Sequence, residues 1–194
     1  MNHYNILPCD GEAFYLKKVF NSEDSYHYFD RLIRNISWKN DEVIIFGKRI
    51  ITKRETAWYG DDGCEYVYSG ISRRPMPWIN ELSELKMVAE KFSGISFNSC
   101  LLNLYHSGEE GMSWHSDDES SLGKDIVIAS VSFGAERKFV FRHKKTKEKI
   151  SIILENGSLL VMKGQTQFNW HHALPKSMKI KQPRINLTFR RIEI

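Results

Sequence analysis

Pro183-Arg184-Ile185-Asn186-Leu187-Thr188-Phe189-Arg190 alternates without a break. Arg184, Asn186, Thr188 and Arg190 fall on one face of an extended chain and Ile185, Leu187 and Phe189 on the other, because neighbours in a strand point to opposite sides. Pro183 stands at the start, where a strand tolerates the missing N–H. The apolar face asks for a core. The polar face admits two readings. One is a solvated basic surface. The other is a donor-rich strip, in which two guanidinium groups frame Asn and Thr and grip a dicarboxylate bidentately.

Upstream runs share this texture: Phe97–Tyr105, Ile126–Phe133, Lys138–Arg142, Lys149–Leu154 and Ser158–Met162, with the last run reaching Ile192. Ser107-Gly108, Glu155-Asn156-Gly157 and Lys163-Gly164 punctuate them as turns. The N-terminal half reads differently. Asn21-Ser22-Glu23-Asp24 offers helix caps with Phe20 placed to staple, and Phe29, Leu32, Ile33 and Ile36 keep a helical period. After Pro77, Trp78, Leu82, Leu85, Ala89 and Phe92 predict a second helix closed by Gly94. No repeat or linker is visible. The expected architecture is mainly β with flanking N-terminal helices, a jelly roll or double-stranded β-helix in one domain.

The chain has 194 residues, 41% of them hydrophobic and 12% aromatic, enough for a core and too much for global disorder. No apolar run approaches the roughly 18 residues of a membrane span, so no membrane partner is expected. The N-terminus lacks a basic stretch followed by an apolar one, and Cys9, Cys64 and Cys100 are widely spaced. Reduced thiols in a protein that is not secreted are expected, in the cytoplasm if bacterial and the nucleus if eukaryotic. Net charge is +4, unevenly spread: residues 1–133 carry 14 Lys and Arg against 20 Asp and Glu, residues 134–194 carry 14 against 4. The basic third suits phosphate contacts as well as a plain solvated surface.

His115-Ser116-Asp117 places an imidazole and a carboxylate two apart, on one side of an extended stretch. Far downstream, Trp170-His171-His172-Ala173-Leu174-Pro175 supplies two adjacent histidines, one of which must point away in a regular strand. Two His and one carboxylate with open positions form the facial triad of non-haem Fe(II) oxygenases. Zinc hydrolases also use such a set, but their H-E-x-x-H helix is absent. A triad beside a dicarboxylate cradle points to Fe(II), with 2-oxoglutarate as co-substrate and O2 as oxidant.

From about Val43 to Ile192 the chain resembles the AlkB family of Fe(II)- and 2-oxoglutarate-dependent dioxygenases, above all the branch that repairs alkylated double-stranded DNA. The matching stretches include Ile45-Phe46-Gly47-Lys48, Ala57-Trp58-Tyr59-Gly60-Asp61, Tyr66-Val67-Tyr68-Ser69-Gly70, Asn103-Leu104-Tyr105, His115-Ser116-Asp117-Asp118-Glu119, Ala129–Ala135, Phe139–Lys144 and the Arg184–Arg190 run. The resemblance implies His115, Asp117 and His172 as the catalytic iron ligands. It puts Asn103, Tyr105, Arg184, Asn186, Thr188 and Arg190 around 2-oxoglutarate. It divides the domain into an N-terminal helical extension (1–42), a nucleotide-recognition lid and helix (43–96) and a jelly-roll core (97–192).

The resemblance also implies the substrate-binding residues. Tyr66, Tyr68 and Ser69 belong to the lid over the base pocket, with Tyr68 stacking opposite the His115 ring. Asp118, with Glu119 beside it, faces an exocyclic amine or a cationic base. Phe46 wedges into the gap left by a flipped base, and Lys48 and Arg54 meet phosphates. The loop between His143 and Ile150 is shorter than in duplex-repair relatives. The implied function is oxidative demethylation of 1-methyladenine and 3-methylcytosine in DNA by a monomer. RNA or single strands are the alternative substrate, and a non-catalytic nucleic-acid-binding module is the reading from another class.

Overall fold

In the computed structural model the described residues are 4–45, 48–64, 66–68 and 71–193, with side chains described outside 41–50 and 65–73. The chain opens with strand β1 (Glu12–Leu16) and helix α1 (Ser22–Asn35). The antiparallel pairs β2 (Lys39–Ile45) with β3 (Lys48–Gly60), and β4 (Tyr66–Tyr68) with β5 (Ile71–Arg73), precede helix α2 (Asn80–Ser93). Strands β6 (Ser99–Tyr105) and β7 (Met112–His115) follow, then β8 (Ile128–Gly134), β9 (Arg137–His143), β10 (Lys149–Leu154) and β11 (Ser158–Lys163). A single-turn helix, α3 (Thr166–Asn169), leads into β12 (Trp170–Leu174) and, after a loop, β13 (Arg184–Arg190).

Both long helices form where their caps predict. The Asn21 side chain accepts the Asp24 N–H at 2.8 Å, with Phe20 buried just ahead of it. At the other helix Gly94, at φ +79°, accepts the left-handed turn that ends α2, a conformation glycine adopts without strain. Among the described residues no helix is long and apolar enough to cross a membrane.

Two sheets build the body: a seven-stranded one ordered β1-β11-β8-β13-β6-β3-β2 and a four-stranded one ordered β10-β9-β12-β7. Period-two alternation then sorts the central strands of the large sheet into two cores. Leu102, Leu104, Val131, Phe133, Leu159, Ile185, Leu187 and Phe189 point outward and pack with Leu32 of α1 and Leu82 and Leu85 of α2. Tyr105, Ile128, Leu160 and Met162 point inward toward Phe141, Trp170 and Leu174 of the small sheet. Each buried aliphatic or aromatic side chain contributes about 2 kcal/mol relative to exposure, so both layers hold the jelly roll together.

The basic face of Arg184–Arg190 is therefore not solvated. Arg184 is 2% exposed and Asn186 9%, because the small sheet covers that face. Strands β1, β2 and β3 had no clear sequence signal. Lys48–Gly60 mixes charges with paired isoleucines instead of alternating, yet its second half pairs with β6 from Glu55↔Leu104 to Gly60↔Ser99. β1, within the segment expected as helical extension, pairs with β11.

Candidate active site

The floor of the site is a cross-strand pair. His172 of β12 stands directly opposite His115 of β7, their ring centroids 4.2 Å apart and edge to face. Asp117 lies two residues beyond β7, with Oδ2 at 3.6 Å from His172 Nε2. One ligand atom from each of His115, Asp117 and His172 lies within 4.8 Å of the others. His171 projects to the other side of β12, half-buried, and is not in this cluster.

The protonation states suit a cation. His115 Nδ1 lies 2.8 Å from the Ser113 carbonyl, which only accepts. The proton therefore sits on Nδ1, and the Nε2 lone pair is left for a metal. Burial pushes the His172 pKa down to about 3, so this imidazole is neutral, the form that ligates. For Asp117, burial raises the pKa, but the Arg190 guanidinium, by its charge and its hydrogen bond, outweighs it and holds the carboxyl below its ordinary value. Arg190 Nη2 bonds Asp117 Oδ1 directly. The neutral His172 imidazole, the His115 ring with its Nδ1 committed to Ser113, and the Asp117 carboxylate form a set that fits Fe(II).

Above this floor, β13 and β6 set a polar strip. Arg184 pairs with Tyr105 and Asn186 with Asn103 across β13–β6. Arg184 Nη2 donates to Ser132 Oγ (2.9 Å) and Asn186 Oδ1 (2.7 Å), and Asn186 Nδ2 donates to Thr188 Oγ1 (2.8 Å). Asn186 and Thr188 thus hold Arg184 in place while lining the same cavity. Burial lowers the Arg184 pKa to about 10, still charged at neutral pH. Among the described residues no carboxylate pairs with it, and its Nε has no hydrogen-bond partner. Asn103 Oδ1 is buried and unpartnered in the same cavity. A buried cation without an acid is costly unless an anion arrives, and the unpartnered Arg184 Nε–H fits a carboxylate of 2-oxoglutarate.

The residues expected to meet the substrate are less gathered. Arg54 of β3 donates from Nη1 to the sulfur of Met112, which lines the cavity. Asp118 is exposed and lies 3.5 Å from Lys144 Nζ. Glu119 is half-buried at the start of a 3-10 turn over Ser120–Leu122, its Oε2 enclosed without a hydrogen bond. Phe46 and Ser69 lie outside the described residues, as do the side chains of Lys48, Tyr66 and Tyr68, whose backbones belong to β3 and β4.

The cavity is completed by residues the sequence reading passed over. Leu101, Met112, Ser130, Phe139, Met162 and Leu174 line it. Leu101 sits two before Asn103, and Ser130 alternates with Ala129 and Val131, so the period-two rule contains both. Gln167, whose Oε1 accepts the Asp117 N–H at 3.0 Å, gave no signal. Arg137 is buried and donates to the carbonyls of Ser107, Glu110 and Pro175, bracing the loops at the rim.

Residues 12–190 match the model of the 2OG-Fe(II) oxygenase superfamily. The bovine alpha-ketoglutarate-dependent dioxygenase alkB homolog 3 is 42% identical over 174 residues, covering 84% of this chain and 60% of that protein. The human DNA oxidative demethylase ALKBH2 is 37% identical over 185 residues, covering 90% of this chain and 71% of that protein. The chain thus spans about 60% of the length of the alkB homolog 3 relatives it matches. The solved structure of OsALKBH1 shares the fold, with a TM-score of 0.65 at 17% identity over 92% of this chain and 97% of that one. With a His-Asp-His cluster beside a buried arginine inside a jelly roll, and with these relatives, the chain belongs to the AlkB family of 2OG-Fe(II) oxygenases, whose cofactors are Fe(II), 2-oxoglutarate and O2.

Proposed function

We propose that this chain is a DNA repair dioxygenase that removes N-methyl groups from 1-methyladenine and 3-methylcytosine. His115, Asp117 and His172 hold the iron, and Arg184 with Tyr105 and Asn103 holds the distal carboxylate of 2-oxoglutarate. Fe(II) with 2-oxoglutarate and O2 supplies the oxidation: the co-substrate leaves as succinate and CO2, and the methyl carbon gains a hydroxyl. The resulting hemiaminal breaks its C–N bond to release formaldehyde and the repaired base.

The protein's own work is orientation and charge. Arg190 keeps Asp117 ionised and aligned, Asn186 and Thr188 fix Arg184, and Phe139, Leu101 and Met162 line the cavity with apolar surface that limits water. The observation that carries the reading is Arg184, fully charged, 2% exposed and without a carboxylate partner among the described residues, beside a metal-ready triad. Support for DNA comes from the relatives named as DNA oxidative demethylases and from the basic residues 134–194.

The test is formaldehyde release from 3-methylcytosine placed in single-stranded DNA, double-stranded DNA and RNA of one sequence. The reading expects 2-oxoglutarate-dependent product from DNA. Product from RNA alone would move the substrate, and none from any of the three would overturn the proposal.

A further inference from the structure

Gln167 touches neither the metal-ligating atoms nor the dicarboxylate strip, yet its amide is completely enclosed in the protein. It sits in α3, immediately before the strand that bears His172. Its Oε1 accepts the backbone N–H of Asp117 at 3.0 Å, and its Nε2 points at the sulfur of Met162 at 3.6 Å. A backbone N–H only donates, so the oxygen end of the amide must face Asp117.

Arg190 holds the Asp117 carboxylate, but the backbone of the segment that Gln167 holds has little other support. β7 ends at His115, so Ser116, Asp117 and Asp118 lie beyond the ladder that fixes His115 opposite His172. Ser116 Oγ reaches the Trp170 carbonyl at 3.5 Å. Lys144 Nζ spans from the Gln167 carbonyl (2.9 Å) to Asp118 Oδ2 (3.5 Å). α3 and Lys144 together therefore replace the missing strand partner. An apolar side chain of similar length would fill the volume beside Met162 equally well, so the amide has a polar task, and the partner it meets is the backbone of the carboxylate that completes the triad.

We propose that Gln167 is a positioning residue for the metal centre, locking the Asp117 backbone so that its carboxylate converges with His115 and His172. This inference rests on the assignment of those three residues as metal ligands. Outer partners that orient a ligand are worth about 10- to 100-fold in metal affinity.

The test uses the full chain and Co(II) as the probe, titrated by visible absorption in the presence of 2-oxoglutarate, with the Tm of the metal-free protein measured alongside. Gln167→Leu removes the acceptor, Gln167→Asn draws it back by one methylene, and Gln167→Glu keeps an oxygen in place. Leu and Asn are expected to weaken Co(II) about 10- to 100-fold, and Glu, which keeps the acceptor in place, to bind more tightly than Asn. If the Leu variant does not fold, the contrast between Asn and Glu decides. Unchanged Co(II) affinity in Leu and Asn, with at most a lowered Tm, would reduce Gln167 to a packing residue and overturn the proposal. Failure of the unmutated chain to bind Co(II) would instead strike at the ligand assignment itself.

Discussion

Tyr105 stands directly opposite Arg184 across the β6–β13 pair, with the guanidinium carbon 5.5 Å from the centre of its ring. The aromatic face and the buried amide of Asn103 leave Arg184 a cationic socket with no acid among the described residues. Arg184→Met should therefore separate binding from stability. Losing one member of a buried charge pair costs about 2–5 kcal/mol of ligand affinity. At about 1.4 kcal/mol per tenfold, the 2-oxoglutarate requirement should rise roughly 30-fold or more. The metal-free Tm should not fall much, because an apolar side chain replaces a desolvated charge. Thermal shift with and without 2-oxoglutarate checks both, and a wild-type-like ligand shift in the variant would remove the socket.

The three converging side chains lead to an all-or-none expectation. His115→Ala, Asp117→Ala and His172→Ala should each abolish formaldehyde release while circular dichroism shows a folded chain. His171→Ala, on the opposite side of β12, should keep substantial activity. A dead His171 variant alongside an active His172 variant would reverse the ligand assignment.

Phe46 and Tyr68 separate duplex from single-strand work. Unstacking and unpairing a base costs a few kcal/mol in a duplex and much less in a single strand. Phe46→Ala should lower activity on double-stranded DNA far more than on a short single strand, whereas Tyr68→Ala should hurt both. All four combinations belong at one salt concentration, since ionic strength shifts DNA binding as a whole. An equal loss on both substrates for Phe46→Ala would withdraw the wedge role.

A fourth expectation concerns the helix pair that backs the large sheet. Glu81 of α2 is buried, accepts from Arg31 Nε (2.9 Å) and Asn35 Nδ2 (2.7 Å) of α1, and forms an ion pair with Arg31 Nη2 (2.7 Å). Burial pushes its pKa up, but its own backbone N–H, Asn35 and Arg31 more than offset that and leave it lowered. A carboxyl whose folded pKa is depressed stabilises above its unfolded pKa and loses that contribution as pH falls through the folded value. Glu81→Gln should therefore cost about 1.5–3 kcal/mol at neutral pH, the scale of a charge-assisted hydrogen bond, and much less once pH is well below the ordinary carboxylate range. Denaturant midpoints at both pH values measure this, and a pH-independent difference would contradict it.

Much of this was legible in the sequence, and the gaps have physical causes. The alternation in Arg184–Arg190 shows which side chains share a face, but burial of the polar face depends on a second sheet built from β7, β9, β10 and β12, which no local pattern reports. The His171-His172 pair is ambiguous by alternation alone. The register that sets His172 against His115 resolves it, and register is a tertiary property. β3 was hidden because its charges and paired isoleucines break the period of two, and its place between β2 and β6 is set by pairing with distant strands. Gln167 was silent because a glutamine in a short polar turn looks like any solvated residue until its partner 50 positions away is known.

The most direct measurement of the central claim is the balance of products. The chain, Fe(II), 2-oxoglutarate and air are incubated with an oligonucleotide carrying 3-methylcytosine, and succinate, formaldehyde and repaired cytosine are quantified together. The account predicts equimolar succinate and formaldehyde matched by repaired base, all lost in Asp117→Ala. Succinate formed at the same rate with unmethylated DNA and no formaldehyde, or base repair independent of 2-oxoglutarate, would contradict it.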